Sequence, residues 1–224
     1  MRLNKYLASG SELSRRKADE AIAAGRVMVN GHPGQPGDTA SETDIVTLDG
    51  RVITPAVNTT TILFNKPRGL VVSRDGQGSP TIYDRLPPEY QRLNPVGRLD
   101  KDSSGLLLLT SDGQLAHELT HPSRQKIKLY HVGLDAPLQP LHRQMISDYG
   151  VTLEDGPSRL QLERETDGDD QHWIVSMHEG RNRQIRRTFA ALGYAVETLH
   201  RTQFGPYSLG NLAVGTYRAI TPQS

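Results

Sequence analysis

The sequence contains no cysteine. That excludes disulfide staples, thiolate metal ligands and thiol nucleophiles at once. Long apolar runs are missing too. Hydrophobic residues fill 35% of the 224 positions and mean hydropathy is −0.53. No segment approaches the roughly 20 consecutive apolar residues that a membrane helix needs. The opening Met1-Arg2-Leu3-Asn4-Lys5 leads into a polar amphipathic pattern with no signal-peptide core. These absences point to a soluble protein of the cytoplasm. A surplus of either charge is also lacking, since 26 lysines and arginines face 25 acids, a net charge of +1. There is no phosphate loop of the G-x-x-x-x-G-K-[ST] type, no G-x-G-x-x-G after a strand and no G-x-S-x-G elbow. Nucleotide cofactors and serine-hydrolase chemistry therefore have no sequence support.

What is present is an uneven distribution of charge. Arg2, Lys5, Arg15, Arg16, Lys17 and Arg26 crowd the N-terminal stretch against Glu12, Asp19 and Glu20. Arg124, Lys126 and Lys128 form a second basic cluster, and Arg181, Arg183, Arg186 and Arg187 a third. Acids gather elsewhere, at Glu163, Glu165, Asp167, Asp169 and Asp170. A phosphate backbone responds to local basic patches rather than to net charge.

Leu3, Tyr6 and Leu7 follow helical spacing up to Gly10. Ser14 is the expected N-cap of a second helix with Ala18, Ala21 and Ile22 on its apolar side and Gly25 beyond its end. Strand-like 26–29 runs into the tight-turn pair Asn30-Gly31, and 45–48 reads as a further strand. A module of this size buries only about 60% of its chain surface, which leaves its basic side free for a partner. The aperiodic stretch 54–60 reads as a linker, dividing the chain into domains 1–58 and 61–224. In the second domain, strands are expected at 62–65, 106–110, 126–134, 159–163, 173–178, 195–200 and 217–220, and helices at 113–120, 138–148 and 182–192. Strands outnumber helices without regular alternation, so the fold class is α+β with a mixed, largely antiparallel sheet flanked by helices.

Residues 97–113 carry the densest chemistry. Asp100 and Asp102 lie in a Gly-bounded polar loop, and Leu106 to Leu109 follow as a continuous apolar run. Such a run suits a strand buried on both faces, which would hold the acids rigidly. Two acids this close on one loop rarely flank a sugar ring at glycosidase separation, and Asp102 reads as a turn-capping acid. His117-Glu118-Leu119-Thr120-His121 matches the zinc-hydrolase pattern H-E-x-x-H. Pro122 ends the helix at the second histidine, so the match reads as accidental.

Lys126, Lys128 and Tyr130 alternate with Ile127 and Leu129. That places an aromatic ring beside two lysines on one strand face, an arrangement suited to stacking on a base near phosphates. Taken alone, the strand reads better as a half-buried one whose tyrosine packs on a helix. In 182–192 the apolar stripe is Ile185, Phe189 and Leu192, with Arg183, Arg186 and Arg187 on an adjoining face.

Three pieces of the N-terminal stretch, Arg2-Leu3-Asn4-Lys5-Tyr6-Leu7-Ala8, Ser14-Arg15-Arg16 and 25–31, resemble the RNA-binding module named after small-subunit ribosomal protein S-four. Gly97-Arg98-Leu99-Asp100, with 105–113 behind it, resembles the catalytic signature of pseudouridine synthases. The similarity is to the ribosomal small-subunit pseudouridine synthase A family, whose members carry such a module in front. Asn65-Lys66-Pro67-Arg68-Gly69, Thr120-His121-Pro122-Ser123, Lys128-Leu129-Tyr130 and 180–187 match its other motifs in order. Ser103 stands where the family often has threonine. The resemblance implies Asp100 as the catalytic aspartate, Tyr130 as the ring that stacks on the target base, and Arg186 as the basic residue paired with the aspartate, with Leu106 or Ile185 packing around the site. The implied reaction isomerises a uridine within RNA and uses no metal and no nucleotide cofactor. Lys66, Arg98, Lys126, Lys128, Arg181, Arg183 and Arg187, with the N-terminal cations, are the expected RNA contacts. Ribosomal RNA or a ribosomal precursor particle is the expected partner and a monomer the expected state. The Gly-Arg-Asn-Arg and Leu-Glu-Asp-Gly-Pro segments resemble the large-subunit branch. An RNA-binding assembly protein with an inactive site stands as the alternative.

Overall fold

A computed structural model describes residues 1–55 and 59–221. The chain forms two compact units, Met1–Thr59 and Thr60–Ser224. Most of the expected linker lies at their junction, and its residues 56–58 fall outside the described residues.

In the first unit, α1 (Leu3–Gly10) and α2 (Arg15–Ala23) precede a four-stranded antiparallel sheet of β1 (Val27–Val29), β2 (His32–Pro33), β3 (Val46–Leu48) and β4 (Arg51–Ile53), in the order β2-β1-β3-β4. The Ser14 hydroxyl caps α2 by accepting from the Lys17 amide at 3.2 Å. Leu3, Tyr6, Leu7, Ala18, Ala21, Ile22, Val27 and Val46 bury their side chains together, as the periodicity requires. Asn30 and Gly31 both take positive φ, 52° and 82°, and turn β1 into β2. The β3–β4 hairpin, with Asp49-Gly50 at its tip, extends the sheet by a strand that the apolar pattern did not announce.

The second unit is α+β. Its main strands are β5 (Thr61–Lys66), β6 (Asn94–Val96), β7 (Ser104–Thr110), β8 (Lys128–Leu134), β11 (Gln161–Arg164), β12 (His172–Met177), β13 (Val196–Phe204), β14 (Tyr207–Ser208) and β15 (Tyr217–Ile220). Among the described residues they form one sheet in the order β11-β12-β8-β13-β7-β5-β15, with β14 on β13 and β6 on β7. Among the described strands only β13 and β7 pair in parallel. A small hairpin of β9 (Val151–Leu153) and β10 (Gly156–Ser158) stands apart. The helices are α3 (Gly113–Thr120), α4 (Pro140–Gln144), which continues as a π-helical turn over Met145–Tyr149, and α5 (Gln184–Ala190).

Strand β7 fixes the functional loop. Leu107 and Leu109 enter one hydrophobic core with Ile62, Phe64, Tyr130, Trp173 and Phe189. Leu106 and Leu108 enter a second core with Leu115, Leu119 and Phe204. Both faces of β7 are therefore dry, as the four-leucine run demands, and the strand is a stiff base for the residues before it.

Candidate active site

The loop between β6 and β7 carries Asp100. Leu99, 7% exposed, anchors it in the core. The Ser103 amide donates to the Asp100 carbonyl at 3.1 Å, and the Gly69 amide to the Lys101 carbonyl at 2.7 Å. Lys66, at the end of β5, is fully buried, and its Nζ donates to the carbonyls of Pro67, Asp100 and Ser103 at 3.1, 3.1 and 2.7 Å. Burial pushes the Lys66 ammonium down to about 8, against the pull of Asp100 and Asp102. Lys66 thus ties the loop backbone and does not reach an RNA, which corrects its assignment as a contact. A lysine closing an apolar strand was the available signal for this role.

Asp100 opens onto a cavity of about 1180 Å³ that Tyr130, Arg98, Lys126, Lys128, Arg181, Arg183, Ile185 and Arg201 also line. Tyr130, on β8, is 8% exposed, belongs to the main core and also borders the cavity. Strand β8 starts at Lys128, one turn of the pleat later than the alternation suggested, and Ile127 is exposed instead of buried.

The arginines divide differently from the expected single face. Arg183 caps α5 with φ 47° and lies outside the helix. Its guanidinium donates to both Asp102 carboxylate oxygens at 3.0 Å and reaches Asp100 Oδ2 at 3.7 Å. Arg186 does not line the cavity. Its Nε lies 3.3 Å from Asp102 Oδ2, and its other nitrogens donate to the carbonyls of Val196 and Asp102 at 2.6 and 3.1 Å. Arg186 is therefore the partner of Asp102 rather than of Asp100, because one helical turn separates it from the cap position that faces the loop. Asp102 itself is no turn cap. It takes two guanidinium groups, and the hydrogen bond from Arg183, above all, holds its carboxyl below the usual range.

Other expected RNA contacts are committed within the protein. Arg181 and Arg187 clamp Asp155 in the β9–β10 turn at 2.9 and 2.7 Å. The Lys128 amine donates to the carbonyls of His178 and Glu179 at 3.2 Å, and burial lowers its pKa. In the first unit Arg26 is forked onto Asp49, and Arg2 donates to the Gly37 carbonyl at 2.7 Å. Arg2 and Arg15 edge a small cleft of about 250 Å³ there, while Arg16 and Lys17 are exposed and Lys5 is half-buried.

Sequence reasoning missed Arg201. Its side chain is 2% exposed and lies near the rings of Phe204 and Tyr130, with Cζ 5.0 and 6.0 Å from their centroids. Nε donates to the Leu106 carbonyl at 2.8 Å, and Nη2 has no partner among the described residues. The alternation of Leu199, Arg201 and inward-facing neighbours along β13 was the one signal available.

The zinc-like histidines sit at the end of α3, which stops at Thr120 as Pro122 requires. His121 Nδ1 pairs with the Ser123 hydroxyl at 2.7 Å, and Glu118 pairs with Gln114. Among the described residues no three His, Cys, Asp or Glu side chains converge on a metal position, and no helix is long and apolar enough to cross a membrane.

Comparison with known proteins now adds to this geometry. Residues 1–46 match the S4 domain. The chain is 38% identical over 98% of its length to the ribosomal large subunit pseudouridine synthase B of Pseudomonas aeruginosa, of which it covers 59%. It is 37% identical over 98% of its length to an uncharacterized RNA pseudouridine synthase of Mycobacterium bovis, covering 89% of that protein. A crystal structure of a pseudouridylate synthase superposes with a TM-score of 0.70 at 34% identity, covering 99% of this chain and 96% of the other. The chain thus spans about half the length of the first curated relatives, 59% and 44% for two of them. With residues 60–191 matching the family described as RNA pseudouridylate synthase, the chain belongs to that family.

Proposed function

We propose that the protein isomerises uridine to pseudouridine in ribosomal RNA, with large-subunit RNA as substrate and Asp100 as the catalytic carboxylate. The observation that carries this reading is the setting of Asp100: a carboxylate on a backbone clamped by Lys66, opening into a cavity shared with Tyr130, with Arg183 3.7 Å away. A uridine reaches such a cavity only by leaving its stack, which costs a few kcal/mol and least for an unpaired base. Stacking on an aromatic ring such as Tyr130 returns about 1–3 kcal/mol. The base then separates from the sugar at N1, turns, and rejoins through C5. Asp100 either adds to C1′ or takes a sugar proton, and both routes use the same carboxylate. Neither calls for redox chemistry or an external nucleophile.

The large-subunit assignment rests on the names of the relatives and on two segments, 153–157 and 180–183, that Arg181 joins at the cavity rim through Asp155. The first unit supplies further RNA contacts through Lys5, Arg15, Arg16 and Lys17. The protein acts as a monomer in the cytoplasm, on ribosomal RNA or its precursor particles. Asp100→Asn should fold and bind RNA yet release no tritium from RNA labelled at uridine C5. Full release by that variant would overturn the assignment. Pseudouridine maps of ribosomal RNA with and without the gene identify the target subunit.

A further inference from the structure

Arg201 is an anomaly in the free protein. A guanidinium excluded from water is costly unless charge and hydrogen bonds compensate it. Arg201 has one hydrogen bond, to the Leu106 carbonyl, a partnerless Nη2, and no ion pair among the described residues. Two aromatic rings lie near it, Phe204 and Tyr130. Its position is also rigidly set. Arg201 pairs with Tyr130 across β8 and with Gly105 across β7. It borders the same cavity as Asp100 and Tyr130. Lys128 is another cation near Phe204, at 5.4 Å, and its amine is held by backbone carbonyls. An unpaired positive charge held dry beside a base-stacking ring is arranged for an anion that exists only during reaction.

We propose that Arg201 is a further catalytic residue, which stabilises the negative charge on uracil while the base is detached from the sugar. This rests on the isomerase reading above. In either route the C1′–N1 bond breaks with its electron pair going to the base, spread over N1 and the two carbonyl oxygens. If Asp100 adds to C1′, the anion's C5 then displaces the carboxylate, which recovers its pair. If Asp100 has instead taken the C2′ proton, that proton returns to C2′ as C5 bonds C1′. In both, the C5 hydrogen leaves as a proton and N1 takes one, so the sum is an isomerisation. The uracil anion is common to the two routes, and a fixed cation at the stacking ring lowers the barrier to forming it.

The test uses the full-length protein and a large-subunit rRNA transcript labelled at uridine C5. Arg201→Gln should slow single-turnover tritium release about 100-fold, while RNA affinity stays within about threefold. Arg201→Lys, which keeps a cation, should recover about tenfold of that loss. A rate within threefold of the unaltered protein, equal rates for Gln and Lys, or an affinity loss that accounts for the rate loss would each overturn the proposal. Should Arg201→Gln not fold, the unaltered protein gives a second readout. Barbiturate, a uracil-shaped anion at neutral pH, should inhibit at least tenfold more strongly than neutral uracil, and equal or absent inhibition refutes the role. An unaltered protein that releases no tritium from any cellular RNA and leaves rRNA pseudouridines unchanged on gene loss would instead reject the isomerase reading itself.

Discussion

The Lys66 ammonium donates to the backbone carbonyl of Asp100 at 3.1 Å, from a side chain with no exposed surface. With Pro67 and Ser103 as its other acceptors, all three of its N–H groups are used. A neutral amine has two N–H groups, so one loop carbonyl loses its donor when Lys66 deprotonates.

Activity should therefore decline as pH rises through about 8, the value to which burial lowers this lysine from its usual 10.5. Stability carries the opposite sign. Between about 8 and 10.5 the unfolded chain binds the proton and the folded chain does not, so this group's contribution to stability rises with pH across that window and is constant below it. Lys66→Met should lose activity on the order of 100-fold by misplacing Asp100, and should flatten both pH trends. Turnover and melting profiles of the two proteins, compared from pH 7 upward, check this; parallel profiles would sink it.

Asp100 and Asp102 should separate cleanly in function. Asp100 lines the cavity, whereas Asp102 does not and is forked by Arg183 and touched by Arg186. Asp100→Asn should abolish isomerisation. Asp102→Asn should slow it about tenfold by releasing Arg183, and cost about 0.5 kcal/mol, since the pair is partly exposed. The contribution of Asp102 to stability is complete above the unfolded carboxyl pKa near 3.9 and is lost as pH falls through its lower folded value. Tritium release by the two variants, with urea unfolding at pH 7 and below, distinguishes the roles.

How far the sequence reveals this site depends on the range of each signal. Leu106 to Leu109 disclose a doubly buried strand because side-chain alternation is local, and both cores are found where that run places them. Ser14, Asn30 and Gly31 disclose caps and turns for the same reason. Ion-pair partners are different. Arg183 and Asp102 are 81 positions apart and Arg186 and Asp102 are 84 apart, so a three-residue step along the chain decides which guanidinium faces Asp100. That choice depends on Arg183 adopting a left-handed cap, and a helical wheel extended through 182–192 places it on the wrong face. Arg201 falls one residue beyond the expected strand 195–200, and its place beside Gly105 emerges only when β13 extends to Phe204 and is set parallel to β7.

The junction of those two strands makes a glycine indispensable. Gly105 has φ 103°, and a Cβ there would lie 2.2 Å from the Arg201 carbonyl oxygen. Gly105→Ala should cost about 3 kcal/mol or more, because both the dihedral and the neighbouring backbone oppose it. Gly113→Ala is the contrast. Gly113 begins α3 with nothing within 4 Å of its added Cβ, so this change should be neutral or stabilise by about 0.5 kcal/mol. Denaturant midpoints for the pair check the difference, and similar midpoints would contradict it.

The basic residues of the first unit should also differ among themselves in RNA binding. Arg26 is committed to Asp49, and Arg2 to the Gly37 carbonyl. Arg16 and Lys17, on the exposed side of α2, have no partner among the described residues. Each phosphate contact contributes about 0.7–0.9 to the slope of log affinity against log salt. Arg16→Ala with Lys17→Ala should therefore weaken binding and reduce the slope by about 1–2, whereas Arg26→Ala should leave the slope unchanged. Arg187→Ala belongs with Arg26→Ala, since its guanidinium is forked onto Asp155 and does not line the cavity. Affinities for the rRNA transcript between about 50 and 200 mM salt decide the matter. A slope that falls equally for Arg26→Ala and for the double variant would show that the intramolecular pair opens to meet phosphate.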